Sequence, residues 1–167
     1  MRACVLPKGD VLTMPRKGKP LMDTYRIVLA DDHYLIREGL RSILEERADF
    51  LVVGEAADGL ELLSLLDKLK PHLAILDISM PNLQGIETSR QIKKYYPGIR
   101  ILILTMHAEK EYLYRAISAG VDGYLLKEDA PKELLLAIER IRQGKRFLSP
   151  ILKANLEEEH RLLPEFS

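Results

Sequence analysis

Acidic, hydroxyl and ammonium side chains follow the short apolar segments of this sequence. Asp31 and Asp32 come directly after the first apolar run, and Asp77, Thr105 and Lys127 end three later ones. Clustered carboxylates repel one another, and burying them costs free energy unless a cation pairs with them. A hard divalent cation such as Mg²⁺ meets this need, and the hydroxyl and the ammonium would then bind an oxyanion beside it. Because one acid could act as the nucleophile and form an acyl phosphate, the predicted chemistry is phosphoryl transfer.

Five apolar runs alternate with amphipathic stretches along the chain. The runs are nearly continuous rather than alternating, which is typical of parallel strands covered on both faces, and the stretches between them have helical spacing. In an open sheet of such units, ligands bind beyond the carboxyl ends of the strands, where the five polar side chains would meet. We predict strands, each followed by a helix, at 25–30, 50–56, 72–77, 100–105 and 122–127.

Residues at the element boundaries agree with this assignment. Gly120 and Gly144 stand where glycines end helices, Pro131 stands at a helix start, and Asp58 is predicted to cap a helix. The apolar face predicted for the first helix comprises Leu35, Ile36, Leu40, Ile43 and Leu44.

The overall composition fits one domain with tails. The 167 residues are 47% hydrophobic and 30% charged, which is ordinary for a globular protein. The formal net charge is zero, so no overall basic field attracts nucleic acid or an anionic membrane. One cysteine excludes an internal disulfide and a cysteine-based metal site, and the sequence contains neither a secretory signal nor a membrane span. We therefore expect a cytoplasmic protein.

Three regions follow from the distribution of charge and pattern. Residues 1–22 carry five Lys or Arg and one Asp among several Pro and Gly, which predicts a disordered basic leader. Residues 23–145 contain the strand–helix units and form the predicted domain. Residues 146–167 are predicted to be a linker or short helix that leads away from it.

Four segments resemble the receiver domain of bacterial two-component response regulators: LADDH, LAILDISMPNLQGIE, ILILTMHAE and GVDGYLLKEDAPKELLLAI. The resemblance covers about residues 24–144, and DDHYLIREGLRSIL and GKRFLSP are most similar to the NarL/LuxR-type subgroup. It implies an α/β, flavodoxin-like (CheY-like) doubly wound five-stranded parallel sheet of order 2-1-3-4-5, with helices on both faces. It also implies phosphorylation by a sensor histidine kinase and control of transcription in the full-length protein.

The same resemblance implies roles for the acids and the lysine. Asp77 would accept the phosphoryl group, and Lys127 would pair with the phosphoryl oxygens. Asp32 would bind Mg²⁺ directly and Asp31 through water, while Asp77 and the backbone carbonyl of Ser79 would complete the protein ligands. Apart from accepting and losing this phosphoryl group, no enzymatic activity is expected.

The resemblance further implies a conformational switch. Thr105 would turn toward the phosphoryl group and Tyr124 would turn inward behind it, which would change a surface at about 106–143. Ser79 and His107 occupy the positions that tune the rate of dephosphorylation in this family.

The resemblance also bears on partners. The NarL/LuxR-type proteins carry a C-terminal helix-turn-helix domain, but 146–167 contain no basic recognition helix. We therefore expect a truncated chain that reaches DNA only through a C-terminal domain absent here. Dimerisation through the first and last helices is left open, because their apolar residues could equally belong to the core. Glu128 follows Lys127 where many receivers have a cis proline, and a trans bond is predicted, since cis costs roughly 2.5–4 kcal/mol without proline.

Plainer interpretations exist for each site residue. Asp31 and Asp32 could cap the first helix, and Asp77 and Thr105 could simply end strands. Lys127 and Tyr124 could be a surface charge and a packing residue. His33 and His107 are interpreted as solvated loop histidines, because neither has metal-binding spacing to another His or Cys.

Three other functions fit this sequence less well than the receiver does. A flavin protein would need a Ser-, Thr- or Gly-rich phosphate loop after the first strand, where this chain has DDHYL. A haloacid-dehalogenase-type phosphatase would need its second Asp two positions after the first, whereas Asp31 and Asp32 are adjacent. An interaction module independent of phosphorylation is disfavoured, because every expected site residue is present.

Overall fold

The computed structural model describes residues 24–157 and two short strands of the leader. These strands, Cys4–Val5 and Val11–Leu12, pair antiparallel. The other residues of 1–22 lie outside the described residues, so the disorder predicted for this leader stays a prediction.

A parallel sheet of six strands forms the centre of the described domain. In chain order the strands are β1 (Tyr25–Ala30), β2 (Phe50–Ala56), β3 (Leu73–Leu76), β4 (Arg100–Thr105), β5 (Gly123–Leu126) and β6 (Phe147–Leu148). Their spatial order is β2-β1-β3-β4-β5-β6. The predicted order 2-1-3-4-5 is confirmed, and a sixth strand is added at the β5 edge.

A helix follows each of the first five strands, as predicted, and a further short helix follows β6. The helices are α1 (Tyr34–Leu44), α2 (Gly59–Leu69), α3 (Gly85–Tyr95), α4 (Lys110–Ser118), α5 (Ala130–Arg142) and α6 (Pro150–Glu157), and a 3₁₀ turn, Lys127–Asp129, precedes α5. Gly120 and Gly144 have φ of 85° and 82°, the left-handed conformation in which glycine commonly ends a helix. The Asp58 side chain accepts the backbone N–H of Glu61, so its predicted cap is also confirmed. Within 24–157, every helix is too short or too polar to cross a membrane.

Two apolar layers cover the two faces of the sheet. Ile27 and Leu29 of β1 lie in the layer formed with α1 and α5, whereas Val28 and Ala30 lie in the layer formed with α2, α3 and α4. This alternation is the pleat of a strand that is buried on both sides, which explains the continuous apolar runs of the sequence.

The apolar face predicted for α1 is only partly buried. Leu40 and Leu44 lie in the core, but the Leu35 side chain is 80% exposed and Ile36 is 37% exposed. Leu35 belongs to the first turn of the helix, beside the open carboxyl edge of the sheet, where neither layer extends far enough to cover it.

The start of the C-terminal segment also departs from the prediction. Gly123 and Tyr124 of β5 pair with β6, and Leu148 and Leu152 are buried in the same apolar layer as Tyr124. The prediction that 146–167 lead away from the domain is therefore wrong for the first of these residues. Their buried apolar side chains hold them against the edge of the sheet.

An ion-pair cluster connects the start of β2 to α5. The buried Asp49 carboxylate lies 2.9 Å from Arg47 Nε and 2.8 Å from a terminal nitrogen of Arg142. The hydrogen bonds from Arg47 in the first place, and then from Arg142, outweigh burial and lower the pKa of Asp49 from 3.8 to about 2.

We expect the Asp49→Asn variant to lose stability in a pH-dependent way. Because the pKa of Asp49 is lower in the folded than in the unfolded chain, its stabilisation is complete above the unfolded pKa and is lost as the pH falls through the folded one. The variant should lower the free energy of unfolding by about 2 kcal/mol at neutral pH, and the difference should shrink in acid. Urea denaturation at several pH values measures this, with Glu38→Gln, at an exposed position of α1, as control. A difference that stays constant with pH would contradict the assignment.

Candidate functional site

The carboxyl edge of the sheet brings together the side chains predicted to do chemistry. Asp31 follows β1, Asp77 follows β3, Thr105 ends β4 and Lys127 follows β5. Asp31 is 3% exposed and Asp77 is 5% exposed, so two carboxylates are buried within one cluster. Burial at this level requires a positive partner for their charge.

Lys127 supplies that partner in the described structure. Its Nζ lies 2.6 Å from Asp31 Oδ2 and 2.9 Å from Asp77 Oδ2. Burial alone would lower the pKa of this ammonium, but the hydrogen bonds and charges of Asp31 and Asp77 outweigh burial and hold the pKa above its ordinary value. Lys127 is therefore a fixed positive charge at neutral pH, in contact with both buried acids.

The acids also form a set of oxygen ligands. Ligand atoms of Asp31, Asp32, His33 and Asp77 all lie within 4.8 Å of one another. Three carboxylates within this distance fit the preference of Mg²⁺ for a few oxygen ligands completed by water. The cluster is thus compatible with the metal that the sequence predicts, and it stands beside the ammonium of Lys127.

His33 belongs to this cluster, although its spacing in the sequence does not indicate it. Its backbone N–H donates to Asp31 Oδ1 at 2.9 Å, which turns the chain so that Nδ1 lies 3.0 Å from Asp31 Oδ1 and 2.9 Å from Asp32 Oδ1. The His33 side chain is 65% exposed, as expected of a solvated loop histidine, but its ring also contacts both acids. The one feature of the sequence that indicates these contacts is the position of His33 directly after the two acids.

His107 connects the side chains on the other side of the site. Its backbone N–H donates to Thr105 Oγ1 at 3.2 Å, and its carbonyl accepts the hydroxyl of Tyr124 at 2.6 Å. Its Nε2 lies 2.7 Å from Ser79 Oγ, and its ring stacks on Tyr112. Tyr124 is wholly buried and points inward, and burial raises the pKa of its phenol. One loop residue thus links Thr105, Tyr124 and Ser79.

Arg37 is a further residue of the site that the sequence analysis missed. Its guanidinium donates to the backbone carbonyl of Asp31 and to Glu55 Oε1, and Arg41 donates to the other oxygen of Glu55. Glu55 is therefore the partner of two α1 arginines, and Arg37 holds the loop that carries the first pair of acids.

Backbone packing fixes the position of Asp77. The N–H of Gly85 donates to the carbonyl of Ile78 at 3.0 Å, which places the start of α3 directly against the acidic loop. A Cβ at Gly85 would lie 2.0 Å from the backbone oxygen of Asp77 and 3.0 Å from the Cα of Ile78. These are backbone atoms, so they cannot move aside as a side chain can.

Gly85→Ala is expected to destabilise the domain by about 2–3 kcal/mol, because the added methyl forces the Asp77 backbone and α3 apart. Gly98→Ala is the matched control, since a Cβ at Gly98 meets nothing within 4 Å. Urea denaturation of the two variants should show a large loss for the first and almost none for the second. Equal stabilities would mean that the close approach at Gly85 is not tight in solution.

The peptide bonds of residues 24–157 are all trans, and the trans bond predicted between Lys127 and Glu128 is therefore confirmed.

The comparisons with known proteins agree with this geometry. Residues 27–139 match the profile of the family described as the response regulator receiver domain. The transcriptional regulatory protein DegU of Brevibacillus brevis is 36% identical over 138 residues, which are 83% of this chain and 58% of that protein. The chain spans 58–63% of the length of the first three curated relatives that it matches.

Solved structures give the same result. A LuxR-family two-component response regulator from Aurantimonas sp. SI85-9A1 is 40% identical with a TM-score of 0.78, over 81% of this chain and 97% of that one. The isolated receiver domain of RcsB from Salmonella enterica serovar Typhimurium, in the presence of phosphomimetic BeF₃⁻, is 33% identical with a TM-score of 0.74, over 80% and 98%. RcsB is also matched as two dimers bound to two parallel DNAs, at 33% identity and a TM-score of 0.76, over 84% and 72%. This chain therefore belongs to the response regulator receiver domain family, and within it to the NarL/LuxR type.

Proposed function

We propose that this receiver is a phosphorylation switch in which Asp77 accepts a phosphoryl group from a sensor histidine kinase. The observation that supports this most strongly is the contact of Lys127 with Asp77 beside two further acids at the carboxyl edge of the sheet. A buried nucleophilic carboxylate, a fixed ammonium and oxygen ligands for a divalent cation are the parts that phosphoryl transfer to an acid requires.

In the proposed reaction, a carboxylate oxygen of Asp77 attacks phosphorus and forms a P–O bond. The P–N bond of the kinase phosphohistidine breaks, and its electron pair and a proton remain on the imidazole. Lys127 offsets the negative charge of the transferred oxygens, as it offsets the carboxylates in the described structure. Asp31, Asp32, Asp77 and the carbonyl of Ser79 would hold Mg²⁺, which supplies further positive charge there when bound.

The proposed switch uses the contacts of His107. The Thr105 hydroxyl now accepts the His107 N–H, and turning toward a phosphoryl oxygen on Asp77 would release that bond. The loop that contains His107 would then shift, and the His107 carbonyl, which accepts the Tyr124 hydroxyl, would move with it. The surface from 106 to 143 would change accordingly. Ser79 and His107 are hydrogen-bonded to each other beside Asp77, which is the place from which they would tune loss of the phosphoryl group by limiting the approach of water.

The partners belong to the same proposal. The donor is a sensor histidine kinase, and the output is control of transcription in the full-length protein. DNA would be contacted through a C-terminal domain outside this chain, and a homodimer of receivers would couple phosphorylation to DNA binding. The likeness to RcsB, which is solved as dimers bound to DNA, supports this part.

The experiment uses acetyl phosphate as a small phosphodonor and reads the intact mass of the chain. We expect a gain of one phosphoryl group in the presence of Mg²⁺ and none when the cation is removed with EDTA. The same mass with and without donor, at any Mg²⁺ concentration, would rule out the phosphorylation switch and leave an interaction module independent of phosphorylation.

A further inference from the structure

We propose that Ser149 is a positioning residue for phosphoryl transfer to Asp77, because its buried hydroxyl fixes the turn that carries Lys127. This inference rests on the proposed function and deepens it. Ser149 lies between β6 and α6, after the end of the family match at residue 139, in the segment predicted to be a linker or short helix.

The surroundings of Ser149 show that its hydroxyl is engaged with the Lys127 turn. The residue is 0% exposed. Its Oγ donates to the carboxylate of Asp129 and lies 3.4 Å from the backbone nitrogen of Leu126, and its backbone N–H donates to the carbonyl of Tyr124 at 2.9 Å. A serine before a helix ordinarily caps that helix, but these bonds of Ser149 lead back to β5 and the turn after it.

The contacts of Ser149 lie on both sides of Lys127 along the chain. Leu126 directly precedes Lys127, and Asp129 ends the 3₁₀ turn that begins with it. Pairing of β5 with β4 holds the strand as far as Leu126 but not the turn beyond it. The far side of the turn is held by the packing of Ala130, the first residue of α5, and by the hydrogen bond from Ser149 to Asp129, which ties it to the segment after β6.

The position of this turn matters because lysine reaches its partners through a flexible four-carbon chain. The ammonium must stay within hydrogen-bond distance of Asp77 while the phosphoryl group is transferred, and small displacements of a charge from a reacting centre are costly. A fixed backbone anchor restricts where that chain can reach. Loss of the anchor should reduce the rate of transfer without changing the ligands of the metal.

The hydrogen bond between Ser149 and Asp129 also connects the start of α6 to the site. Leu148 and Leu152, which flank Ser149, are buried with Tyr124 in one apolar layer. A movement of the Lys127 turn on phosphorylation would therefore act directly on the start of α6, and a pull on α6 would act on Lys127.

The test compares Ser149→Ala, Asp129→Ala and the double variant by initial rates of phosphorylation of the full chain. Acetyl phosphate is varied at saturating Mg²⁺, and intact mass gives the rate. Each single variant should lower the limiting rate about tenfold with an unchanged KM for the donor, as expected for loss of one hydrogen bond worth about 1.4 kcal/mol. The double variant should be no slower than either single variant, because both remove the same contact.

Asp122→Asn is the control, since Asp122 is also buried and accepts the backbone N–H of Ile101, but it lies at the opposite end of the sheet from Lys127. It should lose stability and keep the wild-type rate. A purely structural role of Ser149 would lower stability in the same way and leave the limiting rate unchanged.

The outcomes separate this inference from the proposed function. If the wild-type chain is not phosphorylated, the proposed function itself fails. If it is phosphorylated and either single variant reacts at the wild-type rate, or the two losses multiply in the double variant, the positioning role of Ser149 is overturned. Asp129→Ala keeps the test decisive should Ser149→Ala fail to fold, because the half-buried Asp129 lies on a surface turn.

Discussion

The Asp77→Ala variant is expected to lose phosphorylation by acetyl phosphate by at least about 10³-fold. The substitution removes the nucleophile itself, and no neighbouring group can replace a carboxylate held at that position. The fold should persist, because Lys127 keeps its contact of 2.6 Å with Asp31 and two like charges no longer share one ammonium. Intact mass after incubation with donor and Mg²⁺ measures the loss, and circular dichroism checks the fold.

The matched control for this variant is Asp49→Asn, which also changes a buried carboxylate but at the opposite end of the sheet. It should lose stability and keep its phosphorylation. Phosphorylation that continues in Asp77→Ala would contradict the role given to Asp77 and would direct attention to Asp31 and Asp32.

The Lys127→Ala variant is expected to change both the rate and the stability. The rate of phosphorylation should fall about 10²-fold, the usual loss when one donor to the transferred charge is removed. Without a divalent cation, the free energy of unfolding should fall by about 3 kcal/mol, because the buried acids Asp31 and Asp77 lose their shared positive partner. Mg²⁺ should restore part of this stability, because a cation at the carboxylates replaces the missing charge.

Urea denaturation with Mg²⁺ and with EDTA separates these effects, and Lys93→Ala is the control. Lys93 lies 2.9 Å from the buried Asp122 at the other end of the sheet, so its loss should destabilise the chain by an amount that Mg²⁺ does not restore. If Mg²⁺ stabilised both lysine variants equally, the restored charge could not be assigned to the acids beside Lys127.

The sequence predicts most of the fold because burial on both faces leaves continuous apolar runs. β1, β2 and β4 have the predicted bounds, and the turn residues place the helix ends within a few residues. β6 was missed because a strand of two residues has no periodicity of its own. Its two residues, Phe147 and Leu148, can be recognised as a strand only from their pairing with β5. The exposure of Leu35 was missed for the opposite reason, since its spacing fits an apolar face that the neighbouring layers leave uncovered.

Some residues of the candidate site could be predicted from the sequence, and others could not. Residues at the ends of strands could be predicted, because the carboxyl ends of parallel strands share one edge. The contacts of His33 and Ser149 could not be predicted. Those of His33 depend on a local turn, and those of Ser149 depend on β5 and the turn after it, which are distant in the sequence. The structure adds that Lys127 bridges Asp31 and Asp77, a contact between three separate loops.

The position of the phosphoryl group tests the central claim most directly. The phosphorylated chain would be reduced with borohydride, which converts an acyl phosphate to an alcohol, and its peptides would be sequenced by mass spectrometry. We predict reduction at Asp77 alone, dependent on donor and Mg²⁺. Reduction at Asp31 or Asp32, or a phosphoryl group found on serine or histidine, would contradict the assignment of Asp77 as the acceptor.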